Sequence, residues 1–302
     1  MTTISRRHAL RTAAALVALP SLSGLLAACS PLGLANALTP EGGARVSRDL
    51  RFRDGPRGTL DLCEPEGGAA PGAPLVVLFY GGGWQGGAKE EYAWAARSLV
   101  AEGRFAVAVP DYRIHPEARW PAFVEDGAAA VSFLRDGPGA GRPMVLLGHS
   151  AGAFIAAALA CDPRWLGEAG RRALSGLVGV AGPYDFAPDE PAYVAIFRDA
   201  PGGRAVAAPS DAALRGAPPM LLLHGTGDRT VGLHHSRDLA ARARAAGVPA
   251  RLVEYPGVGH VAIMADLAHA ARRWGLSRAP VLDEVVAFAR DPAGRAALPV
   301  AA

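Results

Sequence analysis

Apolar and polar positions along the chain fall into alternating short and long segments from about Val46 onward. Residues 46–52 and 59–65 alternate apolar with polar side chains, as half-exposed strands do. The runs at 74–80 and 104–113 are continuously apolar, which is typical of strands buried on both faces of a sheet. Further strands are predicted at 143–148, 174–182, 218–225 and 250–257.

Segments with helical periodicity separate these strands. They are predicted at 89–103, 121–137, 151–161, 234–247, about 261–274 and 280–290. Strands that alternate with helices indicate an α/β fold, a mostly parallel central sheet with helices on both faces. Residues 183–217 are rich in proline and glycine and interrupt this pattern. Such a stretch forms a lid, a binding wall or a plain surface excursion.

The composition agrees with a folded protein and gives no sign of a nucleic-acid partner. Of 302 residues, 50% are hydrophobic and 20% are charged. The formal net charge is +3, and Arg6, Arg7 and Arg11 account for it, because basic and acidic residues are otherwise equal in number. The positive charge therefore belongs to the N-terminus and not to the predicted domain.

Residues 1–28 have the pattern of an export signal, a short basic region followed by an apolar stretch. The run "SRRHAL" resembles a twin-arginine signal, and "LAAC" resembles a bacterial lipoprotein box with Cys29 as the lipidated residue. We expect residues 29–44 to form a tether and 45–302 the folded domain. The expected product is an exported lipoprotein on a membrane surface, facing the periplasm or cell exterior; in the alternative, a plain secretory signal, Cys29 is incidental.

Two further cysteines, Cys63 and Cys161, lie in a predicted early strand and at a predicted helix end. Export would permit a disulfide between them. Nothing in their positions brings them together, so we expect two unpaired, small apolar side chains.

The strongest local motif is "LLGHSAGA", in which Gly148, Ser150 and Gly152 match G-x-S-x-G between a buried strand and a helix. At such a turn the serine backbone is strained, and the glycines leave room for a close chain approach. The hydroxyl then projects above the carboxyl end of the sheet, where the helix N-terminus favours negative charge. The motif predicts a nucleophilic serine; the alternative is a helix-capping serine in a tight turn.

A serine hydroxyl needs a base, and the base needs an acid that fixes its tautomer. His260, in "YPGVGHV", follows the last predicted strand, and Asp228, in "HGTGDRTV", follows the strand before it. The order Ser150, Asp228, His260 is the α/β-hydrolase order of nucleophile, acid and base. Asp228 could instead be a turn residue, and Asp185 and Asp189 are rival acids one strand earlier.

At this point the chain resembles bacterial α/β-hydrolases near the hormone-sensitive-lipase-like carboxylesterases and the kynurenine formamidases. The matching pieces are "YGGGW", "VPDYRIHPEARWPAFVEDGAAAVSFL", "GHSAGA", "LLLHGTGDRTV" and "GVGHV", over about 46–288. The resemblance implies the α/β-hydrolase fold and hydrolysis of a small-molecule ester or amide without a cofactor or metal. Because only a short tether precedes the first strand, we expect no large N-terminal cap.

The same resemblance assigns a role to the glycines after the third strand. It implies that Gly82 and Gly83, with Ala151 after the nucleophile, donate backbone N–H groups to an oxyanion. The sequence departs from the family at Tyr80, where relatives carry a histidine that is thought to order this loop.

Several nearby residues have expected roles outside the reacting groups. We expect Trp84 and Tyr184 to form walls of a substrate pocket, with ordinary packing as the alternative for Trp84. Residues 111–113 and Asp126 also match the family, and we interpret them as a structural brace.

Three other functions are compatible with parts of this pattern. A formamidase or other C–N hydrolase would use the same three residues. A nucleotide-binding protein could use the glycine run, although no G-x-x-x-x-G-K-[ST] occurs and Gly81, Gly83 and Gly86 match G-x-G-x-x-G by spacing alone. A lipid-tethered binding protein could keep the fold without catalysis.

Overall fold

The fold is built around a central sheet of eight strands. The structure is a computed structural model that describes residues 36, 39, 43–208, 210–269, 275 and 277–294. Including a separate hairpin formed by β7 and β8, the strands are β1 (Ala44–Arg51), β2 (Thr59–Pro65), β3 (Leu75–Phe79), β4 (Ala106–Pro110), β5 (Met144–His149), β6 (Leu174–Val180), β7 (Asp185–Phe186), β8 (Ala205–Val206), β9 (Met220–Gly225) and β10 (Ala250–Tyr255).

The sheet has the order β1-β2-β4-β3-β5-β6-β9-β10. β2 pairs antiparallel with β1 and β4, and the remaining neighbours pair in parallel. The mostly parallel sheet expected from the sequence is therefore confirmed. Every residue of β3, β4 and β5 is buried, because helices cover both faces at the centre of the sheet.

The helices of the described residues are α1 (Ala93–Gly103), α2 (Ala122–Asp136), α3 (Ala151–Cys161), α4 (Pro163–Arg172), α5 (Pro191–Phe197), α6 (Asp211–Leu214), α7 (His234–Ala245), α8 (Ala262–Ala265) and α9 (Val281–Arg290), with 3₁₀ turns at Lys89–Tyr92 and Pro201–Gly203. α1 and α9 pack on each other and on the strands, while α2 and α4 pack on α3. Every residue of α3 is buried, in agreement with its nearly all-apolar sequence. Among the described residues, none of these helices has the length and apolarity needed to cross a bilayer.

The predicted strands agree with the observed ones to within a few residues. β2 is more buried than its alternating sequence indicates, because it lies between β1 and β4 inside the sheet. The interruption at 183–217 contains α5, α6 and the β7–β8 hairpin, none of which the pattern predicted. In the described part of the predicted helix at 261–274, Ala262–Ala265 and His269 are helical, and residues 266–268 interrupt the helix between them.

Cys63 and Cys161 are both buried and free, as expected. The export signal at 1–28 and Cys29 lie outside the described residues. Within the expected tether, Asn36 contacts the folded body: its Oδ1 accepts a 2.8 Å hydrogen bond from Trp94 N–H, and its Nδ2 donates one of 2.9 Å to the Glu90 carbonyl. Asn36 thereby satisfies a free donor at the start of α1.

The brace expected at 111–113 is confirmed. The Arg113 guanidinium donates to Asp126 through Nε at 2.9 Å and through Nη2 at 2.8 Å, and Arg53 Nε approaches the same carboxylate at 2.8 Å. Asp126 is completely buried. Two guanidinium groups compensate its charge and fix the chain after β4 to α2.

Candidate active site

Ser150 lies at a strained turn between β5 and α3. Its φ of 53° and ψ of −122° place it in a region that non-glycine residues rarely adopt. A Cβ at Gly148 would lie 2.2 Å from the Gly152 carbonyl oxygen, and one at Gly152 would lie 2.2 Å from the Phe79 carbonyl oxygen. Both glycines are therefore required for the turn. The Ser150 side chain makes no capping hydrogen bond to α3, so the structure does not support the capping alternative.

Three loops after three parallel strands bring Ser150, His260 and Asp228 together. Ser150 Oγ lies 2.9 Å from His260 Nε2, and His260 Nδ1 lies 2.7 Å from Asp228 Oδ2. Both distances are those of good hydrogen bonds. Ser150 and His260 are partly exposed, while the Asp228 side chain is fully buried. A serine, an imidazole and a carboxylate in this contact can transfer a proton away from the serine hydroxyl.

Asp228 is held as a carboxylate by several donors. Its Oδ1 accepts hydrogen bonds from the backbone N–H groups of Thr230, at 2.8 Å, and Val231, at 2.9 Å. His224 Nε2 lies 3.3 Å from its Oδ2. Burial alone would raise the pKa of Asp228, but the hydrogen bonds from His224, His260 and Val231 outweigh burial and lower this pKa well below 3.8. The acid therefore stays ionised beside the imidazole.

The rival acids occupy a different place. Asp185 and Asp189 are exposed, and Asp185 forms a 2.7 Å ion pair with Arg204 on the β7–β8 hairpin. Asp228 is thus the acid that contacts His260.

The glycine run after β3 passes directly beside the nucleophile, since a Cβ at Gly81 would lie 3.2 Å from Ser150 Cβ. Gly82 and Gly83 have φ values of 137° and 60°, which favour glycine. The Gly82 carbonyl accepts hydrogen bonds from Gln85 N–H at 3.1 Å and Gly86 N–H at 3.0 Å. The N–H groups of Gly82 and Gly83 have no acceptor among the described residues. With Ala151 N–H at the first position of α3, they are available to an external oxygen.

Tyr80 occupies the position of the family histidine and supports the glycine loop through its hydroxyl. Its hydroxyl donates a 2.8 Å hydrogen bond to Asp111 Oδ1 and accepts one of 3.0 Å from Arg57 Nη1. Arg57 Nη1 also donates to the Gly87 carbonyl at 3.0 Å, and Lys89 N–H donates to Asp111 Oδ1 at 3.0 Å. Burial, with Asp111 nearby, raises the pKa of Tyr80 far above 10. The phenol is therefore a neutral donor that fixes both ends of the glycine loop.

Trp84 and Tyr184, the expected pocket walls, are each 2% exposed. Trp84 has a φ of 56° and packs among five aromatic rings, those of Phe123, Phe154, Phe186, Tyr193 and Phe197. The Tyr184 ring lies against Gly182. Tyr193, on α5, lies against the glycine loop, because its hydroxyl would be 3.1 Å from a Cβ at Gly83. The insertion between β6 and β9 thus covers one side of this loop.

Three side chains at this site had no assigned role in the sequence. His224 contacts Asp228, and its position four residues earlier was the available signal. His149 and Tyr92 share a 3.0 Å hydrogen bond beneath the loop, although they are 57 residues apart in the chain. No local pattern indicates that pair.

Comparison with known proteins finds an esterase and a kynurenine formamidase among the relatives of this chain. The chain is 28% identical to esterase LipC of Mycobacterium tuberculosis over 245 residues, covering 70% of this chain and 59% of that protein. It is 31% identical to the kynurenine formamidase of Danio rerio over 146 residues, covering 48% of this chain and 49% of that protein. The chain spans about half to three fifths of the length of these curated relatives.

Solved structures and a family profile identify the fold. Esterase B from Lactobacillus rhamnosis superposes with a TM-score of 0.65 at 20% identity, covering 88% of this chain and 94% of that chain. At this identity the likeness concerns the fold alone. The profile described as the alpha/beta hydrolase fold matches residues 76–264, which include the glycine loop and all three residues in contact at Ser150. The chain therefore belongs to the alpha/beta hydrolase fold family.

Proposed function

We propose that this protein hydrolyses carboxylic esters with Ser150 as the nucleophile. The observation that carries the proposal is the hydrogen-bonded contact of Ser150 with His260, at 2.9 Å, and of His260 with Asp228, at 2.7 Å. The strained backbone at Ser150 and the esterase names among relatives support it.

In the proposed acylation, Ser150 Oγ attacks the ester carbonyl carbon while its proton moves to His260 Nε2. Asp228 holds the imidazole in the tautomer that accepts at Nε2 and stabilises the imidazolium. His260 then gives the proton to the departing alkoxide, which leaves an acyl-serine. Water attacks the acyl-serine with His260 again as base, and the acid and the free serine are released.

The oxyanion formed in both steps needs donors that are already in place. We propose the N–H groups of Gly82, Gly83 and Ala151 as these donors. Gly81, which directly precedes the two glycines, lies beside Ser150, Ala151 directly follows Ser150, and the two glycine groups lack other described acceptors. One such donor contributes about 3 kcal/mol to transition-state stabilisation in serine hydrolases.

The direct test measures hydrolysis of short p-nitrophenyl esters and labelling by a fluorophosphonate probe. The wild-type protein is expected to do both, and Ser150→Ala to do neither. Labelling that persists in Ser150→Ala would show that Ser150 is not the nucleophile. A stable wild-type protein without hydrolysis or labelling would favour the non-catalytic alternative, and nucleotide protection in a thermal shift assay would favour a nucleotide site.

A C–N hydrolase is the second candidate, favoured by the similarity to a kynurenine formamidase. The same three residues perform acyl transfer from an ester or an amide, so geometry at Ser150 does not separate them. Parallel kcat/KM values for a phenyl ester and for N-formylkynurenine decide between the two. A preference for the formamide would replace the ester proposal.

We further propose that the protein is exported and anchored to a membrane surface through a lipid on Cys29. The support is the sequence pattern of residues 1–29, with "SRRHAL" and "LAAC" in the order that such signals require. Metabolic labelling with a palmitate analogue is expected to mark the wild-type protein and not Cys29→Ser. An unlabelled, secreted wild-type protein would indicate a plain secretory signal.

A further inference from the structure

A buried chain of hydrogen bonds runs from the glycine loop to the base loop beneath Ser150. Gly81 N–H donates to the Tyr92 hydroxyl at 3.1 Å. The Tyr92 hydroxyl lies 3.0 Å from His149 Nδ1, and His149 Nε2 lies 3.3 Å from the carbonyl oxygen of His260. Tyr92 is 3% exposed and His149 is 6% exposed, so water does not compete for these groups.

Only one proton arrangement satisfies every group in this chain. The His260 carbonyl oxygen can only accept, so the proton of a neutral His149 imidazole lies on Nε2 and is donated to that oxygen. The unprotonated Nδ1 then accepts the proton of the Tyr92 hydroxyl, whose oxygen accepts from Gly81 N–H. Burial, followed by the neighbouring His260, lowers the pKa of His149 to about 3. His149 is therefore neutral at physiological pH and adds no positive charge next to the base.

We propose that Tyr92 and His149 are positioning residues that hold the glycine loop and the His260 backbone in one fixed relation to Ser150. This inference rests on the proposed esterase function. Neither side chain touches the reacting atoms. Instead, one end of this series of hydrogen bonds holds Gly81, next to the proposed oxyanion donors, and the other end holds the backbone of His260, which carries the proposed base.

The position of His149 in the motif explains why it suits this role. It directly precedes Ser150, so its backbone is fixed by the same strained turn. Its ring lies 5.0 Å from the His260 ring, and a Cβ at Gly81 would lie 2.8 Å from its Nδ1. The imidazole therefore fills the space between the two loops, and a misplacement of about 1 Å at either end would cost about 100-fold in rate.

The first experiment compares Tyr92→Phe with Tyr255→Phe. Both tyrosines are buried, but the Tyr255 hydroxyl has no hydrogen-bond partner in the structure, so the second variant controls for loss of a buried phenol oxygen. Tyr92→Phe is expected to lower kcat about 10- to 100-fold with KM within about twofold, and to slow fluorophosphonate labelling equally. Equal kcat in the two variants would overturn the proposal.

The second experiment separates the two hydrogen bonds of His149, the one to the Tyr92 hydroxyl and the one to the His260 carbonyl. A glutamine amide nitrogen can occupy the Nε2 position and donate to the His260 carbonyl, whereas the shorter asparagine reaches only towards Tyr92. His149→Gln is therefore expected to keep more of kcat than His149→Asn. In the double variant Tyr92→Phe/His149→Asn, the loss should be smaller than the product of the single losses, because one chain is broken twice. Fully multiplicative losses would contradict a connected chain.

An NMR measurement on the wild-type protein tests the inference without a substrate and without variants that could fail to fold. Nitrogen NMR of the wild-type imidazoles at neutral pH is expected to show His149 with its proton on Nε2, and a proton on Nδ1 would overturn the proposed direction. Wild-type hydrolysis and inactive Ser150→Ala test the proposed function separately. If the wild type is inactive, the esterase proposal and this role fail together; if it is active and Tyr92→Phe matches Tyr255→Phe, this role alone fails.

Discussion

The Tyr80 hydroxyl and the Asp111 carboxylate are joined by a 2.8 Å hydrogen bond that connects the end of β3 to the end of β4. The family that the sequence resembles implies a histidine at this position of the glycine loop. Here a longer side chain reaches past the loop to Asp111 and Arg57. The loop is consequently supported by residues of the neighbouring strand end and of the β1–β2 turn.

Removal of this hydroxyl should weaken both folding and catalysis. Tyr80→Phe leaves the partly buried Asp111 carboxylate without one of its donors, and about 1–3 kcal/mol of unfolding free energy should be lost. We expect kcat to fall while KM changes little, because the substrate does not contact Tyr80. Urea denaturation and steady-state kinetics measure the two effects, and an unchanged kcat would show that the loop does not depend on Tyr80.

The oxyanion role of the loop can be tested with two glycines of similar conformation. Gly83, with φ of 60°, and Gly141, with φ of 74°, both adopt left-handed conformations. An alanine at Gly141 would contact nothing within 4 Å, whereas one at Gly83 would contact the Tyr193 hydroxyl. Each substitution should cost about 1–2 kcal/mol of stability from backbone strain. Alanine keeps the N–H at position 83, but its methyl group against Tyr193 should displace it, so only Gly83→Ala should lower kcat, about 100-fold. Equal activities would contradict the proposed donor.

Asp228 should be the acid on which His260 depends. Asp228→Asn removes the negative charge that selects the tautomer of His260, and kcat should fall by about 10³- to 10⁴-fold. Asp185→Asn is the matched control, because it neutralises the exposed rival carboxylate that pairs with Arg204. Its activity should remain within about twofold of wild type, since surface ion pairs contribute little. A larger loss in Asp185→Asn than in Asp228→Asn would reverse the assignment.

Acid should destabilise the fold before the carboxylates titrate. The pKa of His149 is lowered from 6.5 to about 3 by burial and by His260, and that of His235 to about 4 by burial and by His234. Between 6.5 and these values the unfolded chain binds more protons than the folded one. The free energy of unfolding should therefore fall as pH is lowered through this window, by up to about 1.4 kcal/mol per pH unit for His149 and by less for His235, which is partly exposed to solvent.

Urea denaturation at several pH values between about 7 and 5 measures this slope. Asp228 contributes little in that range, because its lowered pKa acts only near and below its ordinary value of 3.8. His149→Gln should reduce the slope, and a slope that does not change would show that His149 is protonated in the folded protein.

The contact of Ser150, Asp228 and His260 could be predicted from the sequence because each lies in a turn whose backbone restricts the residue types. Gly148 and Gly152 are sterically required around Ser150, and such constraints appear in a single sequence as spacing. The contact between Tyr92 and His149 has no equivalent signal, since an aromatic residue in one segment and a histidine in another follow no common period.

The missed helices have a different explanation. α4 begins with Pro163 after Asp162, whose side chain accepts a 3.0 Å hydrogen bond from Arg164 N–H, so a capping signal was present. The segment is mostly polar, however, and Gly167 interrupts its helical backbone. α5 is only seven residues long and is held by the burial of Ile196 and Phe197. Helices of that length depend on tertiary packing, which local sequence does not reveal.

The support of Tyr80 by Arg57 and Asp111 also bears on how this loop could be exchanged between relatives. A histidine-type loop transplanted as residues 80–87 would leave the Arg57 guanidinium and the Asp111 carboxylate facing a shorter side chain, and the Gly87 carbonyl would still need its donor. The glycine run therefore cannot be exchanged for a histidine-type loop on its own. Together with residues 57 and 111 it forms one hydrogen-bonded structural unit, and a successful graft has to carry all three parts.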